Sequence, residues 1–397
     1  MAEWKNYTLE EVCERIYSGG TPSTKHKEYW NGDIRWLSSG ETSQRFVYDT
    51  ERKITQKGVD NSSTKLATKG CTVIATAGQG YTRGQASFLM TDTYMNQSVI
   101  ACKANEDIVL PLYLYYNLDS RYEEFRLLSD GTSTRGGLSG WIVKRMNIKL
   151  PPITAQKKII GMLYAIDQKI EKNNAINKNL EQQAEALFHS LFIENANPTW
   201  KDGVLSDLGT VVAGGTPSKT KPEYYSEQGI AWITPKDLSL NKSKFISHGE
   251  IDISELGFSK SSATKMPTGT VLFSSRAPIG YIAIAANEVT TNQGFKSVVP
   301  NENVGTAFIY YLLKFLLPTI EGMASGSTFK EISGAGMKSV PVVIPNNETI
   351  EKFNAFCTPI FQQQEVLETE NSRLADIRDA LLPKLMSGEL DVSDIDL

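Results

Sequence analysis

Two stretches of the chain carry apolar and small polar residues at alternating spacings of four and three. The first runs Ile159, Leu163, Ile166, Ile170, Asn173, Asn177, Leu180, Ala184, Leu187 and Leu191. The second runs Phe353, Cys357, Ile360, Gln364, Leu367, Asn371, Leu374, Arg378, Leu381 and Leu385, each member 194 residues after its counterpart. A seam of this period predicts a long helix packed on another in coiled-coil fashion, because a 3.5-residue repeat keeps one stripe facing the partner. Antiparallel packing of the two would put the globular parts at opposite ends in pseudo-twofold relation. Asn173, Asn177 and Asn371 would then set the register at some cost in stability. The competing arrangement packs each seam on its own domain. Thr154 and Asn347, beside prolines, are the expected N-caps, and Gly388 the expected C-terminal stop. Pro359 predicts a kink or a later helix start, since proline inside a helix removes a backbone hydrogen bond.

Elsewhere the pattern changes to short β-prone runs, at 71–76, 271–275 and 281–286, broken by Gly, Pro, Ser and Asn. Helical patterns recur at 111–128 and 304–320. These stretches repeat. Gly-Gly-Thr-Pro-Ser stands at 19–23 and at 214–218, preceded by Trp4-Lys5 and Trp200-Lys201 and followed by Tyr29-Trp30 and Tyr224-Tyr225. Gly32-Asp33-Ile34-Arg35-Trp36 matches Gly229-Ile230-Ala231-Trp232, and Thr64-Lys65 matches Thr264-Lys265. Thr72-Val73-Ile74 matches Thr270-Val271-Leu272, and Asn96-Gln97 matches Asn292-Gln293. So many matches in one order mean a duplication. The chain therefore divides into a strand-rich domain (1–150), a central helix (151–195), a second strand-rich domain (196–345) and a C-terminal helix with a tail (346–397).

Composition adds limits. With 397 residues, 40% of them hydrophobic, the chain can bury more than one core. The N-terminus lacks a basic segment followed by an apolar run, and no apolar stretch approaches membrane-spanning length, so the expected location is the cytoplasm. Cys13, Cys71, Cys102 and Cys357 share no metal-ligand spacing and read as reduced, buried thiols. The net charge of −4 conceals a split. Residues 346–397 carry 4 basic against 11 acidic side chains, whereas 1–150 carry 19 against 17 and 196–345 carry 13 against 12. The two strand-rich domains thus leave room for local basic patches.

The sequence contains no recognisable catalytic motif. Three histidines (His26, His189, His248) form no ligand cluster, and no phosphate-binding Gly-Lys loop or Gly-x-Ser-x-Gly elbow is present. Gly78-Gln79-Gly80 with Gly84 has the wrong spacing for a dinucleotide loop. Asn197-Pro198-Thr199-Trp200 resembles a base-holding methyltransferase motif but lacks its second proline, and Trp200 is explained as the repeat partner of Trp4. Glu51-Arg52-Lys53 has a nuclease-like order without the upstream Pro-Asp. What remains is polar loops at equivalent places. Thr21, Ser23 and Lys25, and Thr216, Ser218, Lys219 and Lys221, offer hydroxyls and ammonium groups suited to phosphate oxygens. Arg83 and Arg276 follow matched strands and have the shape that grips guanine; Gln79, Gln97 and Gln293 suit adenine. Arg135 and Lys330 lie in a further matched pair of loops, and Lys236 in Thr-Pro-Lys-Asp completes the candidate DNA contacts.

Three further segments complete the pattern: Trp232-Ile233-Thr234-Pro235-Lys236-Asp237-Leu238, Ser274-Ser275-Arg276-Ala277-Pro278-Ile279-Gly280 and Thr291-Asn292-Gln293-Gly294-Phe295. With them go Leu150-Pro151-Pro152 before the first helix and the tail Leu382-Pro383-Lys384-Leu385-Met386-Ser387-Gly388-Glu389-Leu390. Together with the repeated Gly-Thr-Pro-Ser, these make the chain resemble, over its whole length, the specificity subunit of type I restriction-modification enzymes. The second half follows the pattern more closely; Gly78-Gln79-Gly80 stands where the other unit has Arg-Ala-Pro, and the second helix lacks the usual Glu-Gln at its start. The resemblance implies an α+β fold: two pseudo-repeated target recognition domains joined by two long antiparallel coiled-coil helices. It implies that each domain reads one half of a split site on double-stranded DNA and that the helices set the gap. About 33 helical residues span roughly 50 Å, against about 34–36 Å for one DNA turn. Two modification (methyltransferase) subunits are expected to dock on the helices and bring the methyl donor. Restriction (translocase/endonuclease) subunits are expected to bring ATP-driven chemistry, and this chain carries no cofactor and no catalytic residue. The alternatives are a specificity subunit of a type II-like modification system and a helical scaffold whose end domains bind proteins rather than DNA.

Overall fold

The computed structural model describes residues 3–78, 80–130, 137–326 and 330–392. It contains two compact units, Met1–Gln168 with Leu374–Leu397, and Lys169–Arg373. In the first, a five-stranded sheet runs in the order Cys13–Ser18, Val99–Ala104, Thr72–Ala75, Ala86–Leu89, Phe46–Val47. Neighbours are antiparallel except the last pair, which is parallel. In the second, the order is Gly209–Ala213, Lys296–Pro300, Val271–Ser275, Ile279–Ala285, Phe245–Ile246, with the same directions. The apolar runs read at 71–76 and 271–275 are the central strands, and the run at 281–286 falls largely in the strand beside the second of them. Every residue of Thr72–Ala75 and of Val271–Ser275 is buried, as suits strands rich in Val, Ile and Leu with cover on both faces.

A helix lies on each sheet. The stretch expected as one helix over 111–128 is two, Pro111–Asp119 and Tyr122–Asp130. They separate at Ser120, whose hydroxyl donates to the Asn117 carbonyl at 2.8 Å, a local bond that competes with continued helix. Its counterpart, Thr306–Met323, is continuous. A two-stranded ribbon then closes each domain: Lys5–Thr8 pairs with Asn147–Leu150, and Lys201–Val204 with Pro341–Ile344. The chain therefore enters and leaves each domain side by side, just before a long helix begins.

The long helices run over Ile153–His189, followed by a π-helical turn at Ser190–Glu194, and over Asn347–Ser387. They pair antiparallel. In the second unit Asn173 Nδ2 donates to Asn371 Oδ1 at 2.9 Å, and Gln364 Nε2 donates to the Asn177 carbonyl at 3.1 Å. In the first, Arg378 bonds Asp167 at 2.9 Å, so residue numbers fall along one helix as they rise along the other. The ends do more than pair. Ile159, Leu163, Leu382 and Leu385 are buried with Tyr113 and Tyr116 of the first domain. Phe188, Phe192, Phe353 and Ile360 are buried with Phe308 and Tyr311 of the second. Both arrangements weighed from the sequence are therefore realised, helix on helix in the middle and helix on domain at the ends.

Three local expectations are corrected. Thr154 is not a cap: the first helix begins one residue earlier, and the Pro152 carbonyl accepts the first bonds, from Ala155 and Gln156. The second helix is capped by Asn346, not Asn347, because Asn346 Oδ1 accepts from the Thr349 amide at 3.0 Å. The helix passes through Pro359 rather than starting after it. Gly388 does end it, with φ of +78° that a side chain would resist.

Candidate nucleic-acid interface

The Gly-Gly-Thr-Pro-Ser loop is built the same way in both units. A Cβ on Gly19 would lie 1.9 Å from the Met95 carbonyl oxygen, and one on Gly214 would lie 2.0 Å from that of Asn292. Only glycine allows the loop this close to the turn that carries Asn-Gln. The Gly20 amide donates to the Met95 carbonyl at 3.0 Å and the Gly215 amide to that of Thr291 at 2.8 Å. Two aromatic side chains hold each loop from beneath. Trp36 and Trp30 donate their indole N–H to the carbonyls of Gly20 (3.3 Å) and Ser23 (3.2 Å). Trp232 donates to the Gly215 carbonyl (3.0 Å), and Tyr225 donates its hydroxyl to that of Pro217 (2.8 Å). Burial pushes the Tyr225 phenol up, which keeps it a donor.

The turn facing the loop is equally matched. Asn96 and Asn292 donate their amides to the carbonyls of Leu37 and Ile233, both at 3.0 Å. Their side-chain oxygens accept from the Ser98 and Gly294 amides, at 3.0 and 2.8 Å. These bonds leave the next residue, Gln97 or Gln293, exposed. Across the gap, Thr21 donates its hydroxyl to the Gln97 carboxamide oxygen, and Thr216 donates to that of Gln293. Two buried carboxylates complete the frame. Glu41 accepts from the amides of Ser38 (2.9 Å) and Glu51 (2.8 Å), and Asp237 from those of Thr234 (2.7 Å) and Glu250 (2.8 Å). In the second unit the result is a cleft of about 500 Å³, lined by Thr216, Lys219, Tyr225, Trp232, Lys236 and Gln293 among others.

The structure thus brings together Thr21 with Gln97, and Thr216 with Lys219, Lys236 and Gln293. Ser23, Lys25 and Ser218 are exposed on the same loops; Ser218 shares a hydrogen bond with Thr220 at 2.9 Å. Lys221 lies over the Tyr224 ring at 5.2 Å, and Lys236 bonds Glu250 at 2.5 Å. Arg83 stands apart: its side chain is only 12% exposed and its guanidinium pairs with Asp130. Arg276 is 37% exposed and reaches Glu331 at 3.4 Å, beside exposed Lys330. Gln79 and Arg135 lie outside the described residues. Sequence reasoning did not assign roles to Trp36, Trp232, Glu41 or Asp237. The tryptophans were visible as repeat partners, but their hydrogen bonds to loops 16 or 17 residues away follow no helix or strand period. In the first unit Arg52 also stacks on the Trp30 ring at 3.8 Å.

A family model described as "Type I restriction modification DNA specificity domain" matches residues 1–182 and again 197–374. The chain belongs to this family. The specificity subunit of the Type I restriction enzyme MjaIX from Methanocaldococcus jannaschii is 41% identical over 155 residues, 38% of this chain and 36% of that relative. The specificity subunit of the Type I restriction enzyme HindI from Haemophilus influenzae is 23% identical, over 98% of this chain and 100% of the relative. Among solved structures, the Type-I restriction-modification system S subunit from M. genitalium shares the fold, with a TM-score of 0.61 at 17% identity over 97% of this chain and 96% of that one. Membership of a DNA specificity family supports DNA recognition over a scaffold that binds only proteins. Among the described residues no cluster of three or more His, Cys, Asp or Glu suits a metal ion, and no helix is long and apolar enough to cross a membrane. All four cysteines are free and buried.

Proposed function

We propose that each domain of this DNA specificity chain reads one half of a bipartite duplex target, and that the paired helices set the gap between the halves. The observation that carries the reading is the double construction of the loop and turn. One such loop and turn stands in each copy, which has its own sheet and its own closing ribbon. The helices dock modification subunits, which bring the methyl donor, and restriction subunits add ATP-driven cleavage; the complex works in the cytoplasm. The names of the relatives support such an assembly. So do apolar side chains left exposed along the helices, Ile176, Phe356, Val366 and Ile377. The chain itself contributes no catalytic group.

The test is selection of duplexes from a randomised pool by the full chain, followed by sequencing. The expected outcome is two short constrained blocks separated by a fixed number of unconstrained base pairs. One continuous block would overturn the bipartite reading, and no enrichment would overturn sequence reading altogether. Added methyl donor and ATP should leave the enriched duplex neither methylated nor cut by the chain alone.

A further inference from the structure

The two domains differ where they would have to differ if each reads its own half-site. After the matched central strands, the first continues through Gly78, Thr82 and Arg83, the second through Arg276, Ala277 and Pro278. They agree at the couple of Thr21 with Gln97, and of Thr216 with Gln293. A group that is the same in both copies suits a ligand feature present in every half-site. In duplex DNA that feature is the sugar-phosphate backbone, whereas base edges change with sequence.

The hydrogen-bond inventory points the same way. At both seats the acceptors are already engaged. The glutamine oxygen takes the threonine hydroxyl, the asparagine oxygen takes a backbone amide, and Glu41 and Asp237 face inward onto backbone amides. In the second unit the nearby Glu250 is held by Lys236. The groups left over include the carboxamide N–H pair of Gln97 or Gln293, both donors, and in the second unit the ammonium of Lys219, which lines the same cleft. Lys219 is exposed, with no ion pair among the described residues. A bidentate adenine contact needs the glutamine oxygen to accept from N6 while its nitrogen donates to N7. Here threonine takes one lone pair of that oxygen and fixes the orientation of the carboxamide. A seat that offers a carboxamide N–H pair beside an unpaired ammonium fits a phosphodiester oxygen.

We propose that Thr216, Gln293 and Lys219 form a seat for a backbone phosphate, of which Thr21 and Gln97 are the counterpart in the first domain. The seat positions its domain on the duplex and reads no base. This rests on the DNA-reading function proposed above.

The test compares wild type with Lys219→Ala and Gln293→Ala in the full chain. Affinity for the enriched duplex and for a scrambled duplex of equal length is measured across a salt series, and the pool selection is repeated. Lys219 is exposed, so its variant should fold; thermal melting checks both. Lys219→Ala should weaken binding to the two duplexes by the same factor, about tenfold at low salt. It should also flatten the slope of log affinity against log salt by about 0.9. Gln293→Ala should weaken both duplexes equally without changing that slope, and the enriched motif should keep every base preference in both variants. A motif that relaxes at one position in one half would overturn the proposal in favour of base reading. Affinities equal to wild type in both variants would overturn it as well. Failure of wild type to enrich any duplex would instead sink the underlying DNA reading.

Discussion

Lys244 shows how a single side chain ties a recognition domain to its helices. Its ammonium is buried against the Glu181 carboxylate, the Gln364 oxygen at 2.7 Å and the face of Phe361 at 4.2 Å. Burial pushes its pKa down, against the pull of Glu181. Glu181 also accepts from Tyr311 at 2.8 Å and from Lys314 at 2.7 Å, and Lys314 reaches Glu185 as well. Glu368 accepts from the amides of Lys244 and Phe245. Burial alone would raise the Glu181 carboxyl, but Lys244 and Lys314 outweigh it and hold it at about 2, below the ordinary 4.5. A depressed carboxyl stabilises the fold fully above its unfolded value and loses that contribution as pH falls toward its folded one. The urea midpoint should therefore drop as pH falls from about 5 to about 2. In Glu181→Gln the stability should be lower at neutral pH, by roughly 3 kcal/mol for a broken buried pair, and the midpoint should fall less in acid. Parallel curves for variant and wild type, followed by circular dichroism, would show that Glu181 is not depressed. The first unit has an analogous network, in which Arg45 bonds Asp119 at 2.9 Å and Arg378 meets Asp167. Arg378 and Gln364 were legible as polar members of a helical seam. Lys244 and Arg45 were not, since their partners lie 63 to 124 residues and 74 to 122 residues away.

At the scale of elements, the helices carry the clearest sequence signal, and no residue of either seam is exposed. The polar middle has a bonded register. Asn173 donates to both Asn371 and Glu370, Asn371 donates to Asn174 at 2.8 Å, and Lys169 reaches Glu370 at 3.3 Å. An insertion in one helix alone would unpair these groups. Seven residues added after Glu171 together with seven after Arg373 keep the pairing and the 3.5-residue repeat. They lengthen the pair by about 10 Å, or about three base-pair steps of 3.4 Å. The enriched motif should keep both half-sites and gain about three base pairs of gap, read by the same pool selection. A well-folded variant that retains the original gap would show that the helices do not set it. The helix ends were less legible, because Phe188 and Phe192 lie off the 4-3 stripe and are buried by the domain rather than by the other helix.

For the whole molecule, the closing ribbon defines what can be exchanged. Lys5–Thr8 and Asn147–Leu150 lie side by side, so replacing residues 1–150 by the same region of a relative moves a closed domain. The replacement must still fit Ile159, Leu163, Leu382 and Leu385, which share its core. With that met, one block of the enriched motif should change while the other block and the gap stay; a change in both blocks, or in neither, would contradict independent reading.

The sequence by itself determined the duplication, the central strands and the two helices with their register. These rest on local periodicity and on matches in order along the chain, and both survive any arrangement of the loops. It also brought Thr216, Lys219 and Gln293 to notice as separate residues. Only the tertiary structure decided that threonine and glutamine meet, that Trp36 and Trp232 hold the loops, and that Arg83 is taken up by Asp130 while Arg276 stays more exposed. Those outcomes depend on contacts between residues 16 to 77 positions apart, set by how sheet, turn and helix close on one another. No repeat spacing encodes such distances, because loops between the same elements vary in length without changing the fold.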